Sequence, residues 1–279
     1  MTEVNASTEL TRRLANNEIA AWRTIYQAVS ADLAAQLGIG YAEDAGVLHI
    51  WNRSAPVFLF NRVIGLGVFE EATDAAIDDI LAAARATQTS AQVEVVPSAR
   101  PAGLAARLRS RGLASATSWL IHYRMLDTDA PIVVTPGYRI ERVTAANAAA
   151  WSDTLLTSWN FPAQAATGVL ALTVPLAQHP AIVCLAAIHE TSGQIVGGGM
   201  LYVSDGVAGL YADCVRPAYR HHHLHDALIA ARLAEARRLG CDLAYSQTLA
   251  HHPAEHNMVQ AGFKIAYEQQ NFVLSRTRG

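Results

Sequence analysis

One spacing limits what this chain can fold into more than any single motif does. Glu71 lies 41 residues before Gly112, and His221 lies 41 residues before Gly262. Around each pair the same series reads off: a β-rich run, an Ala-rich helix, a second β-rich run, a short helix, a glycine and a closing strand. Matching order at matching spacing favours two copies of one fold over two unrelated domains. The 279 residues leave each copy long enough to bury a core of its own.

In the first copy, Leu10, Leu14, Ile19, Trp22, Ile25, Tyr26, Val29 and Leu33 recur at helical spacing and predict one helix over 7–37, ended by Gly38 and Gly40. Strands are expected over 46–51, 57–63, 93–96 and 118–125, and helices over 70–86 and 101–111. The segment 127–137 contains Pro131 and Pro136 and reads as a linker, which divides the chain into 1–130 and 131–279. Beyond it come a strand over 138–143, a helix over 145–159, a helical or irregular stretch over 161–178, and strands over 181–189 and 195–203. Gly197-Gly198-Gly199 inside the last of these predicts a bulge or the close approach of another backbone, as in a ligand-facing wall.

The stretch from Leu210 to Phe263 carries the chemistry. A strand leads into the turn Arg216-Pro217-Ala218-Tyr219-Arg220, then a helix closed by Gly240, the strand 243–249, and Ala261-Gly262-Phe263. With Ala227-Leu228, Ala231-Arg232-Leu233-Ala234, Ala236, Cys241-Asp242-Leu243-Ala244, Thr248, Asn257 and Tyr267 in register, this half resembles the GNAT N-acetyltransferase superfamily. The resemblance implies an α/β protein of two tandem GNAT-like mixed-sheet domains packed together. It also implies acetyl-CoA as cofactor and transfer of its acetyl group to an amine.

The departures from the family are concentrated in one place. Where the family reads Arg-x-x-Gly-x-Gly or Ala, so that amides at a helix start reach the coenzyme pyrophosphate, this chain reads Arg220-His221-His222-His223-Leu224-His225. A second group, His251-His252-Pro253-Ala254-Glu255-His256, stands where the family has small residues and an arginine. Met258 occupies the position of the usual acid tyrosine. Seven of the eleven histidines lie in these two segments.

Three functions follow as alternatives. His221 with His225, and His252 with His256, are each four apart and would share a helix face, so the former coenzyme pocket can be read as a transition-metal site for zinc, copper, nickel or iron. Asp213 and Glu255 would then act as catalytic groups, with Asp226 nearby, in a metal-dependent enzyme for a small molecule. His252-x-x-Glu255-His256 also fits an H-x-x-E-H pattern, but a proline lies inside it and the scaffold is wrong for that protease class. The positive end of a helix opposes a bare cation by roughly 0.3–1 kcal/mol, which several ligand bonds outweigh. In the second reading Arg220, His222 and His223 bind the phosphates of acetyl-CoA, and the protein acetylates a small amine. The third is a non-catalytic GNAT-fold binding protein.

Composition narrows the partners. A formal charge of −3 with 16% charged residues provides no basic surplus for nucleic acid. No run of 18 apolar residues suits a membrane, and Glu3, Glu9, Arg12, Arg13 and Glu18 make the start unlike a signal peptide, so a cytoplasmic protein acting on small molecules is expected, with an oligomer allowed. Cys184, Cys214 and Cys241 are odd in number and lie in apolar surroundings, as buried free thiols do. The first copy has Phe69-Glu70-Glu71 at the turn and no phosphate loop, so its role is read as structural.

Overall fold

The computed structural model describes residues 6–128 and 132–274. The expected boundary at 130/131 lies outside them. Contacts divide the chain into two units, one of 1–121, 248–252 and 265–279, the other of 122–247 and 253–264.

The first unit opens with α1 (Thr8–Gln27), whose start is capped by Ser7 Oγ accepting from the Leu10 amide at 3.1 Å. The single helix expected over 7–37 is two: the chain is extended at Ser30, and α2 (Ala31–Leu37) follows, closed by left-handed Gly38. Next come β1 (Ile39–Asp44) and β2 (Val47–Asn52), an antiparallel hairpin whose second strand was expected over 46–51 and whose first was missed from sequence. Its two turn residues, Ala45 and Gly46, both have positive φ, as a tight hairpin turn requires. The strand expected over 57–63 is a one-turn 3-10 helix, Phe58–Phe60, and the short β3 (Arg62–Ile64). Asn61 causes the difference. Its amide donates to the Ala55 and Val57 carbonyls, and its oxygen accepts from the Asn52 amide, which curls the segment.

The unit continues with α3 (Asp74–Ala86), β4 (Ala91–Val95), α4 (Leu104–Ser110) and β5 (Ala114–Met125, up to Ile121). Its strands run in the order β1-β2-β3-β4 and then the last strand of the chain, Ile265 onward, which pairs antiparallel with β4. On one sheet face Val63, Val93, Leu108 and Phe272 form a core with Ile77 and Leu81 of α3. On the other, fully buried Arg62 pairs with Glu94 and with Glu18 of α1, its guanidinium 5.0 Å from the Trp22 ring. Burial pushes the Glu94 carboxyl up to about 7, against the pull of Arg62.

The second unit holds β6 (Tyr138–Arg142), α5 (Ala148–Trp159), α6 (Ala166–Thr173), β7 (Ile182–His189), β8 (Ile195–Ser204), β9 (Val207–Val215), α7 (Leu224–Arg238), β10 (Leu243–Leu249, up to Gln247) and α8 (Ala254–Gln260). β11 (Lys264–Leu274) then returns to the first unit. The strand order here is β10-β9-β8-β7-β6, antiparallel except for the parallel β9–β10 pair. Leu224, Leu228 and Leu233 of α7 share one core with Leu201, Leu210 and Ala244.

The three glycines of β8 have a packing cause. A Cβ on Gly198 would lie 2.4 Å from the Trp151 indole nitrogen, and one on Gly199 would lie 2.7 Å from the Arg232 guanidinium carbon. Neighbouring strand residues face opposite sides, so α5 and α7 cover opposite faces of this sheet. The expected bulge is present between Gly198 and Met200. The groups crowding these two glycines are side chains of the protein's own helices rather than a ligand-facing surface.

Candidate functional site

The site grows from the parallel pair. β9 and β10 are in register from Val207 with Leu243 to Leu210 with Ser246, and there the pairing stops. β9 runs on to Val215 bonded only to β8, so the two strands fork. Just past the fork Ala212 takes a positive φ of 57° opposite the β8 bulge, which turns Asp213 out of strict alternation.

Asp213 is held firmly. Arg232 of α7, itself fully buried, donates to both carboxylate oxygens, one at 2.9 Å, and to the Leu228 carbonyl at 3.0 Å. The Asp213 carbonyl accepts from the Trp159 indole at 2.8 Å. Trp159 in turn packs against Phe161, with centroids 5.5 Å apart, while Trp151 is core.

Beyond β9, Pro217–Tyr219 makes a single 3-10 turn, and the histidine loop follows. His221 and His223 both occupy the left-handed region, with φ of 66° and 55°. Histidine therefore stands in a backbone shape that glycine adopts more easily, and His223 directly precedes the first residue of α7. The side chains diverge. The His222 ring packs on Tyr138, with centroids 5.4 Å apart, and its carbonyl accepts from the Thr135 hydroxyl. The His223 ring is turned to solvent beside Asp226, 3.1 Å away. Arg220 reaches the Ser158 carbonyl at 3.4 Å.

His225 is the inward member of the group. Its Nε2 lies 3.8 Å from Asp213 Oδ1 and its Nδ1 lies 3.4 Å from the Asn257 amide of α8. Burial, with help from Arg232, lowers its pKa from the ordinary imidazole value against the pull of Asp213 and Asp226. Asp213 facing Nε2 suits a proton on that nitrogen.

The second histidine group does not join the first. His256 is exposed and meets Gln260 at 2.8 Å, and Glu255 lies half-buried in the first turn of α8. His252 is exposed and falls in the other unit. Among the described residues no set of three or more His, Cys, Asp or Glu is placed to hold a metal ion. The set read as a metal site, His221, His225, His252 and His256, is thus not assembled. The spacing of four was real, but in each pair only the second histidine is helical: His221 lies three residues before α7 with a φ of 66°, and His252 lies two residues before α8, so the helical period does not apply to either pair.

Two residues went unnoticed in the sequence. Tyr211 and Tyr245 meet at the fork through their hydroxyls. No spacing rule links residues 34 apart on adjacent parallel strands, and only the strand register could have found them. The three cysteines are buried and free, with Cys184 and Cys214 pushed up to about 12 by burial. No helix among the described residues is long and apolar enough to cross a membrane.

The comparisons agree with this geometry. The sequence model of the acetyltransferase (GNAT) family matches residues 148–263. A GCN5-related N-acetyltransferase from Kribbella flavida superposes with a TM-score of 0.62 at 17% identity, covering 89% of this chain and 95% of that one. A GCN5-related N-acetyltransferase from Sphaerobacter thermophilus gives 0.62 at 12% identity over 84% and 81%. A tandem GNAT protein from the clavulanic acid biosynthesis pathway gives 0.59 at 17% identity over 84% and 79%. No curated protein matches the chain in sequence. At these identities the structures speak for the fold, which is that of tandem GNAT halves.

Proposed function

We propose, on the premise that residues 148–263 form a GNAT-family domain, that the half over 131–279 transfers an acetyl group from acetyl-CoA to the amine of a small cytoplasmic molecule. The half over 1–130 serves as its structural partner. One observation carries the reading: the strands fork at Leu210 and Ser246 below a loop whose backbone keeps left-handed turns at His221 and His223.

The fit to the coenzyme rests on that loop. Amides at the start of α7, a helix of 15 residues, suit a pyrophosphate, and the helix end favours negative charge. The His223 ring, turned to solvent at 80% exposure, leaves the backbone open despite replacing glycine. Arg220, His222 and His223 flank the loop as donors. The coenzyme would supply an acyl group activated as a thioester. Trp159 and Phe161, beside Asp213, offer an apolar wall to the acceptor. Asp213, locked by Arg232, acts as a positioning group for His225. The transition-metal alternative, with Glu255 as a catalytic group, has no comparable observation behind it.

Calorimetric titration tests the reading. Acetyl-CoA should bind with a micromolar dissociation constant, and at about 100 times that constant raise stability by about 2.7 kcal/mol. A panel of small primary amines should then release free thiol from it. A protein that shows no heat and no thermal shift at millimolar acetyl-CoA is not this enzyme.

A further inference from the structure

The vertex of the fork holds a pair of phenols. Tyr211 is the first residue of β9 beyond the last pair, Leu210 with Ser246, and Tyr245 precedes Ser246 on β10. Leu210 and Ala244 belong to the core under α7, so by alternation Tyr211 and Tyr245 both project from the face that carries α5. Their hydroxyls are hydrogen-bonded to one another and their rings meet at 90° with centroids 5.7 Å apart. Tyr245 is 1% exposed, whereas Tyr211 is half-buried. The pair therefore has an anchored member and a member that borders the opening. Directly behind, Ser246 Oγ donates to the Leu210 carbonyl at 3.1 Å and closes the vertex.

Two hydroxyls in contact form the shortest proton relay a protein can build, since each oxygen both donates and accepts. Acyl transfer from a thioester to an amine needs one. The nitrogen bonds to the acyl carbon, the carbon–sulfur bond breaks with its electron pair going to sulfur, and one proton must pass from nitrogen to sulfur. We propose that Tyr211, backed by Tyr245, carries that proton. The Tyr211 hydroxyl gives its hydrogen to the departing sulfur, and the pair regains one from the amine.

This rests on the acyl-transfer reading above. With phosphates at the start of α7, a donor extended along the part of β9 that does not pair with β10 runs from Val215 back toward Tyr211 at the vertex. His225 lies toward the other end of that stretch, beside Asp213.

Calorimetry with CoA and with desulfo-CoA at pH 9 reads contact between hydroxyl and sulfur without turnover. The unaltered full-length protein should prefer CoA by about tenfold, the size of a hydrogen bond to a charged acceptor. Tyr211→Phe keeps the ring and should erase the preference while leaving desulfo-CoA affinity in place. Tyr245→Phe should reduce it in part. In turnover with the amine panel, Tyr211→Phe should slow thiol release from acetyl-CoA by about 100-fold. It should barely slow transfer from the acetyl thioester of 4-nitrothiophenol, whose thiolate leaves without a proton. An undiminished CoA preference in Tyr211→Phe, or equal losses with both thioesters, overturns the proposal and leaves acyl transfer standing. Failure of the unaltered protein to bind either CoA or acetyl-CoA overturns the acyl-transfer reading, and this proposal with it.

Discussion

Replacing Arg232 with methionine tests the group on which the site hangs. The guanidinium is fully buried and donates to both Asp213 oxygens, to the Leu228 carbonyl at 3.0 Å, and more weakly to the Tyr211 and Met200 carbonyls at 3.3 and 3.4 Å. Methionine has similar reach but no donor, so the carboxylate and three carbonyls lose partners together. Breaking a buried pair from one side costs about 3–5 kcal/mol. Because the Asp213 side chain keeps 17% of its exposure and some water, the lower end, about 3 kcal/mol, applies. Urea denaturation followed by tryptophan fluorescence would report it through Trp151 and Trp159. With m of about 2 kcal/mol/M, the midpoint of the second unit should fall by about 1.5 M. Adding Asp213→Asn should then cost much less than it does alone, since the stranded charge is already without its partner. A loss below about 1 kcal/mol for Arg232→Met, or full additivity of the two changes, would refute the argument that this ion pair organises the fork.

Three further outcomes follow from the same geometry. Gly198→Ala drives a Cβ into the Trp151 indole and displaces its 3.0 Å bond to the Leu185 carbonyl, so a melting experiment should show a loss of about 1–3 kcal/mol. His223→Gly relieves a left-handed histidine and should stabilise the protein by about 1 kcal/mol, with acetyl-CoA affinity in calorimetry equal or tighter; a weaker complex would give the His223 ring itself a binding role. Glu94 has a folded pKa of about 7 against 4.5 unfolded, so between these values the folded state holds more protons, and stability falls as pH rises from 4.5 through 7. Glu94→Gln should remove that slope in pH-dependent denaturation. His49 acts in the opposite sense, since burial lowers it to about 4, and its contribution is lost as pH falls from 6.5 toward 4.

Local order was legible in the sequence because it depends on near neighbours. Helical spacing gave α1, composition and apolar runs gave α3, α5, α7 and the β7 to β10 series, and the equal distance from Glu71 to Gly112 and from His221 to Gly262 gave the repeat. The turn from Arg216 to Arg220 and the altered loop after it were equally local, and so both were legible as the candidate site. What that place contains was decided in three dimensions. Seven histidines in two segments suggested convergence, yet His222 packs on Tyr138, His223 faces solvent beside Asp226, His225 turns toward Asp213 and His256 meets Gln260. Asp213 with Arg232, Tyr211 with Tyr245, and Arg62 with both Glu18 and Glu94 are partners across strands and layers. Their sequence separations carry no period, because the loops between them set the distance. The return of β11 to the first unit is of the same kind. A strand's composition states that it pairs, and only the backbone hydrogen bonds of the folded chain choose its neighbour.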